Sequence, residues 1–166
     1  MSSKNSGLFA VWFPFIGAAS IAGADIYIKS KMDTELSEYN GEPVKKGPFL
    51  FSRHHNRGAF LNLGQKYPSE VRGMSILGTA ITLLMLCFSV TKKGRVFEKT
   101  GLALILGGAV SNTYDRVKKQ YVMDYVSLDV KPKKIRNIVF NLSDACIFIG
   151  SLFVMISNLT AKDRAL

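Results

Sequence analysis

Four long apolar runs separated by charged segments constrain this chain more than any other feature. A helix that crosses the hydrocarbon core of a bilayer needs roughly 20 apolar residues. Runs close to this length cover residues 8–28, 71–90, 96–114 and 138–159. A helix satisfies its own backbone hydrogen bonds in lipid, so runs of this kind are predicted to be helical. We therefore expect residues 1–166 to form one membrane domain, an all-α bundle of four transmembrane helices.

The charge pattern favours a membrane partner over nucleic acid. The formal net charge is +10, but the basic residues lie in short clusters between the apolar runs. No zinc-finger spacing, helix-turn-helix pattern or RNA-binding aromatic motif accompanies them. Basic residues that flank membrane spans suit anionic lipid headgroups. We expect membrane lipids as partners, no nucleic acid, and a monomer.

Two polar segments are predicted to lie on the same side of the membrane. The segment 30–70 is rich in glycine and proline and has candidate strands at 49–52 and 59–63, which predicts a small surface β-sheet. The segment 117–136 is basic and contains an apolar patch at 121–126. Four antiparallel spans bring both segments together, opposite the two chain termini and the basic turn at 91–95.

Acids and amides are concentrated where the predicted spans meet these two segments. They are Asp25, Asn56, Asn112, Asp115, Asp124, Asn141 and Asp144, and Arg116 lies beside them. Acids and amides are costly to hold near lipid, so this cluster is a functional-site hypothesis. Two paired carboxylates suit acid–base hydrolysis, because one can hold a proton while the other stays ionised. The residues alone do not decide which two of the four aspartates would react.

Residue spacing adds local interpretations. Asp25 and Lys29 lie four residues apart on one helix, where they can pair. The pair is either a simple ion pair at the membrane interface or a pair that orients a nearby site. His54 and His55 are adjacent on an extended segment and point to opposite faces, so we expect no shared metal.

Five blocks occur in order between residues 25 and 150. They are Asp25-x-x-x-Lys29, Asn56-x-Gly58-Ala59-Phe60, Gly107-Gly108-Ala109-x-x-Asn112-x-x-Asp115-Arg116, Val122-x-Asp124-Tyr125 and Phe140-Asn141-x-x-Asp144. With these blocks the chain resembles the lipoprotein signal peptidases (signal peptidase II), the integral-membrane aspartyl proteases of bacteria. The resemblance covers nearly the whole chain.

This resemblance implies an endopeptidase that removes the signal peptide from diacylglyceryl-modified prolipoproteins, cutting just before the lipidated cysteine. It places the active site at the extracytoplasmic face of the bacterial cell membrane and requires no metal or organic cofactor. The implied catalytic residues are Asp124 and Asp144, with acid and base unassigned. The implied substrate-binding residues are Asn56, Gly58, Asn112, Arg116 and Asn141, and the implied orienting residues are Asp25, Lys29 and Asp115. Arg116 is expected to hold the loop that carries Asp124 against the third span.

Three residues depart from the family pattern. Ser111 and Gln120 stand where the family usually has glycine, and Ser143 stands where it usually has alanine. All three lie beside the implied site and are small or loop changes. We expect them to affect the fit of the substrate more than catalysis.

Alternatives and one conflict remain. A non-enzymatic four-helix membrane protein, such as a small transporter or a lipid-binding relative, would need polar residues deep in several spans. A metal-dependent membrane hydrolase lacks a credible ligand set. The loop at 91–100 is basic and favours the cytoplasm, yet the two segments on the site side carry even more lysine and arginine. Charge count therefore opposes the implied topology.

Overall fold

The described parts of the chain, residues 2–39, 42–59 and 62–162, form five α-helices, one 3₁₀-helix and three β-strands in a computed structural model. The elements in order are α1 (Ser2–Glu35), a 3₁₀-helix (Leu36–Tyr39), β1 (Val44–Lys46), β2 (Phe49–Asn56), α2 (Pro68–Val90), α3 (Val96–Lys118), β3 (Val122–Leu128), α4 (Lys133–Arg136) and α5 (Leu142–Lys162). The protein is mostly helical and carries one small antiparallel sheet.

Three helical stretches are long and apolar enough to cross a membrane: Val11–Tyr39, Pro68–Val90 and Leu142–Thr160. Large apolar side chains on α2 are mostly exposed, and Met74 and Phe88 are 73% and 69% exposed. Contiguous apolar surface of this kind marks a membrane-facing helix. These features identify a multi-pass membrane protein.

The helix α3 packs between α1 and α5 through small residues. A Cβ on Gly107 would lie 2.8 Å from the carbonyl oxygen of Ala18 in α1, and one on Gly108 would lie 2.5 Å from that of Ser143 in α5. Glycine at both positions lets the backbones approach closely. Among the described helices, α3 is long enough for a span but is not among those apolar enough to cross a membrane. A fourth transmembrane helix at 96–114 stays a prediction.

The sheet has the order β1-β2-β3, with antiparallel pairing throughout. The predicted strand at 49–52 is confirmed as part of β2. The predicted strand at 59–63 is wrong, because residue 59 is a bend, 62–66 form turns, and residues 60 and 61, including Phe60, lie outside the described residues. The third strand comes instead from the segment 117–136, where the apolar patch at 121–126 becomes β3. Its side chains are mostly buried, which explains why an apolar patch occurs there.

The end of α1 supports the sheet. Met123, Tyr125 and Leu36 form a buried cluster against which Ile28 and Met32 of α1 pack. This packing explains why α1 continues to Glu35, beyond the apolar run that ends at residue 28. The carboxylate of Asp33 also accepts hydrogen bonds from three residues of the sheet side, namely Arg53, His55 and Tyr121. The sheet is therefore fixed to α1.

Candidate active site

Asp124 and Asp144 come together from different elements. Asp124 lies in β3 and is 2% exposed, while Asp144 lies in the first turn of α5. Asn56 at the end of β2 donates to Oδ2 of Asp124 at 3.0 Å, and Asn141 donates to its Oδ1 at 2.6 Å. Asn112 of α3 donates to Oδ1 of Asp144 at 3.0 Å. Three asparagine amides thus point their nitrogens at two carboxylates.

Backbone N–H groups fix the orientation of two of these amides. The backbone N–H of Gly58 donates to Oδ1 of Asn56 at 2.9 Å, and that of Asp144 donates to Oδ1 of Asn141 at 2.9 Å. A backbone N–H can only donate, so each amide must present its oxygen there and its nitrogen to Asp124. The assignment of amide oxygen and nitrogen therefore follows from fixed donors.

A buried ammonium group fixes the third amide. Lys29 is fully buried and its Nζ donates to Oδ1 of Asn112 at 2.6 Å. The same Nζ lies 2.7 Å from Asp25 and 3.4 Å from Asp115, both also fully buried. A buried charge needs opposite charges and hydrogen bonds around it. The three predicted orienting residues therefore form one ionic cluster directly behind Asn112.

Arg116 has a different partner from the one expected. Its guanidinium donates to the carbonyl oxygen of Gly58 at 2.9 Å and so holds the loop after β2, not the segment that carries Asp124. The loop is tight, because a Cβ on Gly58 would lie 2.5 Å from the carbonyl carbon of Asn62. The sequence did not show this contact, since the two residues are 58 positions apart.

Burial and a neighbouring charge both raise the pKa of Asp124. Burial raises the pKa of Asp124 to about 7, and the negative charge of Asp144 contributes to the increase. The hydrogen bonds from Asn56 and Asn141 act in the opposite direction, because they stabilise the ionised form. Near neutral pH the carboxyl group of Asp124 can therefore both hold and release a proton.

A cavity of about 570 Å³ opens from the two aspartates and runs between α2, α3 and α5. Its polar end contains Asn56, Asn112, Arg116, Asp124 and Asp144, and its remaining wall is mostly apolar. Gly58 and Asn141 do not line it. Substrate binding by all five predicted residues stays a prediction.

Hydroxyl groups on α2 also line this cavity, which was not predicted from the sequence. Ser75, Thr79 and Thr82 are spaced by four and three residues, which places them on one face of the helix. Thr79 also exchanges a hydrogen bond of 2.9 Å with Thr113 of α3. The helical spacing was the available signal, but it does not show which face points to the cavity.

The three departures from the family pattern lie outside the cavity. Ser111 and Ser143 are fully buried, and both hydroxyls donate to Oδ2 of Asp25. Gln120 has a φ of +66° at the turn between α3 and β3, and its side chain accepts a hydrogen bond from Arg72. These three residues were expected to affect the fit of the substrate, but none of them lines the cavity that would hold it.

Within the described residues, no three or more His, Cys, Asp or Glu side chains are grouped to bind one metal ion. His54 contacts Asn62, whereas His55 stacks on Tyr121 with ring centroids 3.9 Å apart. Cys87 and Cys146 are both free thiols.

Comparison with known proteins gives a consistent result. The family profile described as signal peptidase (SPase) II matches residues 18–160. The lipoprotein signal peptidase of Brucella ovis is 31% identical over 149 residues, which are 89% of either chain. That of Coxiella burnetii (strain Dugway 5J108-111) is 31% identical over 119 residues, covering 70% of this chain and 72% of the relative.

Solved structures of bacterial membrane enzymes share the fold. One superposes with a TM-score of 0.72 at 19% identity, covering 92% of this chain and 90% of the other. A second gives a TM-score of 0.67 at 21% identity, covering 89% and 92%.

Proposed function

The chain belongs to the signal peptidase II family, and from this premise we propose that Asp124 and Asp144 are the pair with which it removes signal peptides from lipoproteins. Family membership makes the protein an aspartic protease of the bacterial cell membrane. Family membership favours this function over the alternatives of a transporter, a lipid-binding protein and a metal-dependent hydrolase.

The hydrogen bonding of the two carboxylates supports this proposal most directly. Both oxygens of Asp124 accept from asparagine amides. Asp144 accepts from Asn112 on Oδ1 and from the backbone N–H of Asn141 on Oδ2 at 3.2 Å. Within the described residues neither carboxylate forms a salt bridge of 4 Å or less. Neutral donors fix the geometry of the two carboxyl groups but leave them able to share one proton. Two carboxyl groups that share a proton titrate as one unit.

The proposed reaction begins with a water between the two carboxyl groups. The ionised aspartate takes a proton from this water, whose oxygen attacks the carbonyl carbon of the residue before the lipidated cysteine. The protonated aspartate donates its proton to the carbonyl oxygen, so a tetrahedral diol forms. The first aspartate then returns its proton to the amide nitrogen, the C–N bond breaks, and the second aspartate recovers a proton from the diol. The pair ends with the single proton that it held at the start.

The substrate proposed is a prolipoprotein whose cysteine carries a diacylglyceryl thioether. The cavity supports this choice, because its apolar wall leads to the aspartates and includes Ile105, Ile147 and Phe148. Pockets for lipid and peptide ligands are mostly apolar with a few placed polar groups. In this arrangement the acyl chains lie among the helices and the scissile bond reaches the polar end.

The proposed topology places the sheet and the segment 117–136 outside the cell and the turn at 91–95 inside. Labelling of intact cells with a membrane-impermeant thiol reagent tests it, in a Cys87→Ala, Cys146→Ala background. Glu42 and Lys93 are both exposed. Labelling of Glu42→Cys but not of Lys93→Cys is expected, and the reverse pattern would contradict the topology.

Cleavage of a purified, diacylglyceryl-modified model prolipoprotein tests the catalytic pair. Asp124→Asn and Asp144→Asn should each lower the rate by about 10²–10⁴-fold, because an amide cannot carry the shared proton. Glu70 is exposed and does not line the cavity, so Glu70→Gln is the matched control and should cleave normally. Mass spectrometry should show a product that begins at the modified cysteine. Turnover near the wild-type rate in either aspartate variant would remove that residue from the mechanism.

A further inference from the structure

One end of the sheet carries a concentrated positive charge. This basic surface consists of Lys45, Lys46, Lys131, Lys133, Lys134 and Arg136, all of them exposed. Asp129 joins its two parts, since its carboxylate lies 2.5 Å from Lys45 and 3.4 Å from Arg136. The backbone N–H of Asp129 also donates to the carbonyl oxygen of Pro48 in the β1–β2 turn. Residues from two distant segments therefore form one surface.

Within the described residues, most of this charge has no partner carboxylate. Asp129 contacts only two of the six basic groups, and the described part of the chain places no carboxylate within 4 Å of Lys46, Lys131, Lys133 or Lys134. Like charges at this density repel one another and need an external anion.

The position of the surface identifies the kind of anion. Residues 131–137 are all exposed and end a few residues before α5, whose stretch Leu142–Thr160 can cross a membrane. Two apolar side chains accompany the lysines, as Ile135 is 47% exposed and Phe49 is 40% exposed. Basic residues beside a span, mixed with exposed apolar side chains, suit the headgroup layer of a bilayer.

The same segment connects the two catalytic elements. It runs from β3, which contains Asp124, to α5, which contains Asp144. Just after it, the backbone of Phe140 exchanges two hydrogen bonds with Val126, at 2.8 and 3.0 Å. A ligand that holds residues 131–137 would therefore also hold the junction between β3 and α5.

We propose that the basic surface binds the anionic phospholipid headgroups of the leaflet beside the sheet, and that this contact steadies the segment between the two aspartates. The surface also accounts for the lysine and arginine excess on the site side, which the positive-inside rule does not explain. Here the charge serves a lipid contact on the folded protein and not the orientation of insertion.

Thermal unfolding of the detergent-purified protein, which needs no catalysis, tests the lipid contact. Phosphatidylglycerol added to the micelles should raise the unfolding temperature, whereas phosphatidylcholine and inorganic phosphate should not. Lys133→Gln with Lys134→Gln should weaken the apparent affinity for phosphatidylglycerol by about fivefold for each lysine. The matched control is Lys92→Gln with Lys93→Gln, an exposed lysine pair in the turn before α3. Equal weakening by both pairs, an equal shift with inorganic phosphate, or no shift would overturn the proposal.

Cleavage in vesicles tests the consequence for the site, and this arm rests on the proposed function. Wild-type protein should cleave several-fold faster in vesicles with phosphatidylglycerol than in phosphatidylcholine alone, and the Lys133, Lys134 variant should lose that gain. An acidic region of the substrate is the competing partner. If the variant instead loses only a preference for substrates with acidic mature regions, in phosphatidylcholine vesicles, the lipid proposal is wrong. Failure of the Asp124 and Asp144 variants to lose activity would affect the proposed function but not the thermal shift.

Discussion

Lys29 donates from Nζ to Oδ1 of Asn112 at 2.6 Å, so a buried ammonium on α1 decides which atom of Asn112 faces Asp144. An ammonium has three donors and no acceptor, and the amide oxygen must therefore turn toward it. The amide nitrogen is then left to donate to the carboxylate. In this way a residue that does not line the cavity sets the hydrogen bonding of one that does.

Replacement of Lys29 should lower the stability of the protein more than replacement of its partner Asp25. Lys29→Met leaves Asp25 buried without a cation and leaves Asp115 with Lys119 as its remaining cation, so it should cost about 3–5 kcal/mol of stability. Asp25→Asn leaves Lys29 paired with Asp115, so activity or stability should fall without being lost. Thermal unfolding and turnover should be measured on the same samples at equal folded protein.

Asp25 also provides a check on the catalytic assignment. If Asp25→Asn is inactive but fully stable, and Asp124→Asn still cleaves the substrate, then Asp25 and not Asp124 is the catalytic residue. The opposite pattern, with a residual rate for Asp25→Asn and none for Asp124→Asn, is expected.

The sequence predicted elements and motif residues better than it predicted their contacts. The apolar runs located α2 and α5, because run length depends only on local composition. The pairing of β3 with β2 was missed, since Asp124 and its register partner His54 are brought together only by the fold. The burial of α3 depends likewise on close packing at Gly107 and Gly108. Asn56, Asn112 and Asn141 were recognised from motifs, but their amide orientations depend on hydrogen bonds that form only in the folded protein.

The rate of cleavage should fall as the pH rises above about 7. Burial and the charge of Asp144 raise the pKa of Asp124 to about 7, so the proton of the pair is lost above that pH. Well above pH 7, kcat/KM should decrease about tenfold for each pH unit. A profile from pH 5 to 9, with recovery of activity on return to pH 6.5, separates deprotonation from unfolding. A rate that stays flat to pH 9 would contradict the proton-sharing pair.

The same pKa shift predicts a pH dependence of stability. The folded state keeps the Asp124 proton up to about pH 7, whereas the unfolded state loses it near the ordinary aspartate pKa of 3.8. The folded state therefore binds more protons between these values, and the contribution of Asp124 to stability is lost as the pH rises through this range. Unfolding temperatures of wild type and Asp124→Asn at pH 4.5 and 7.5 should reveal this contribution, with the larger decrease in the wild type.

Arg116 should act through placement of the loop after β2. Arg116→Lys keeps the charge but loses the planar fork, and its bond to the carbonyl oxygen of Gly58 is weakened. We expect the rate to fall by roughly tenfold, the equivalent of a hydrogen bond of about 1.4 kcal/mol, with clear residual turnover. Arg72→Lys, which changes an arginine bonded to Gln120, is the control and should have little effect. Complete loss of activity in Arg116→Lys with normal stability would instead indicate a direct role in the reaction.

Ser111 and Ser143 should matter for the ionic cluster and not for substrate binding. Both hydroxyls donate to Oδ2 of Asp25, which also contacts Lys29, and neither residue lines the cavity. Ser111→Ala or Ser143→Ala removes a buried hydrogen bond to a charged group, so each should cost about 1.5–3 kcal/mol of stability while KM stays near the wild-type value.

A matched serine and a double-mutant cycle make this last prediction specific. Ser151 also lies on α5 but lines the cavity and is exposed, its hydroxyl bonding only to the helix backbone. Ser151→Ala should therefore leave the unfolding temperature nearly unchanged. In an Asp25→Asn background the two buried substitutions should cost less than in the wild type, because the charged acceptor is gone. An increase in KM without a decrease in unfolding temperature would show that Ser111 and Ser143 act on the substrate, as the sequence alone had indicated.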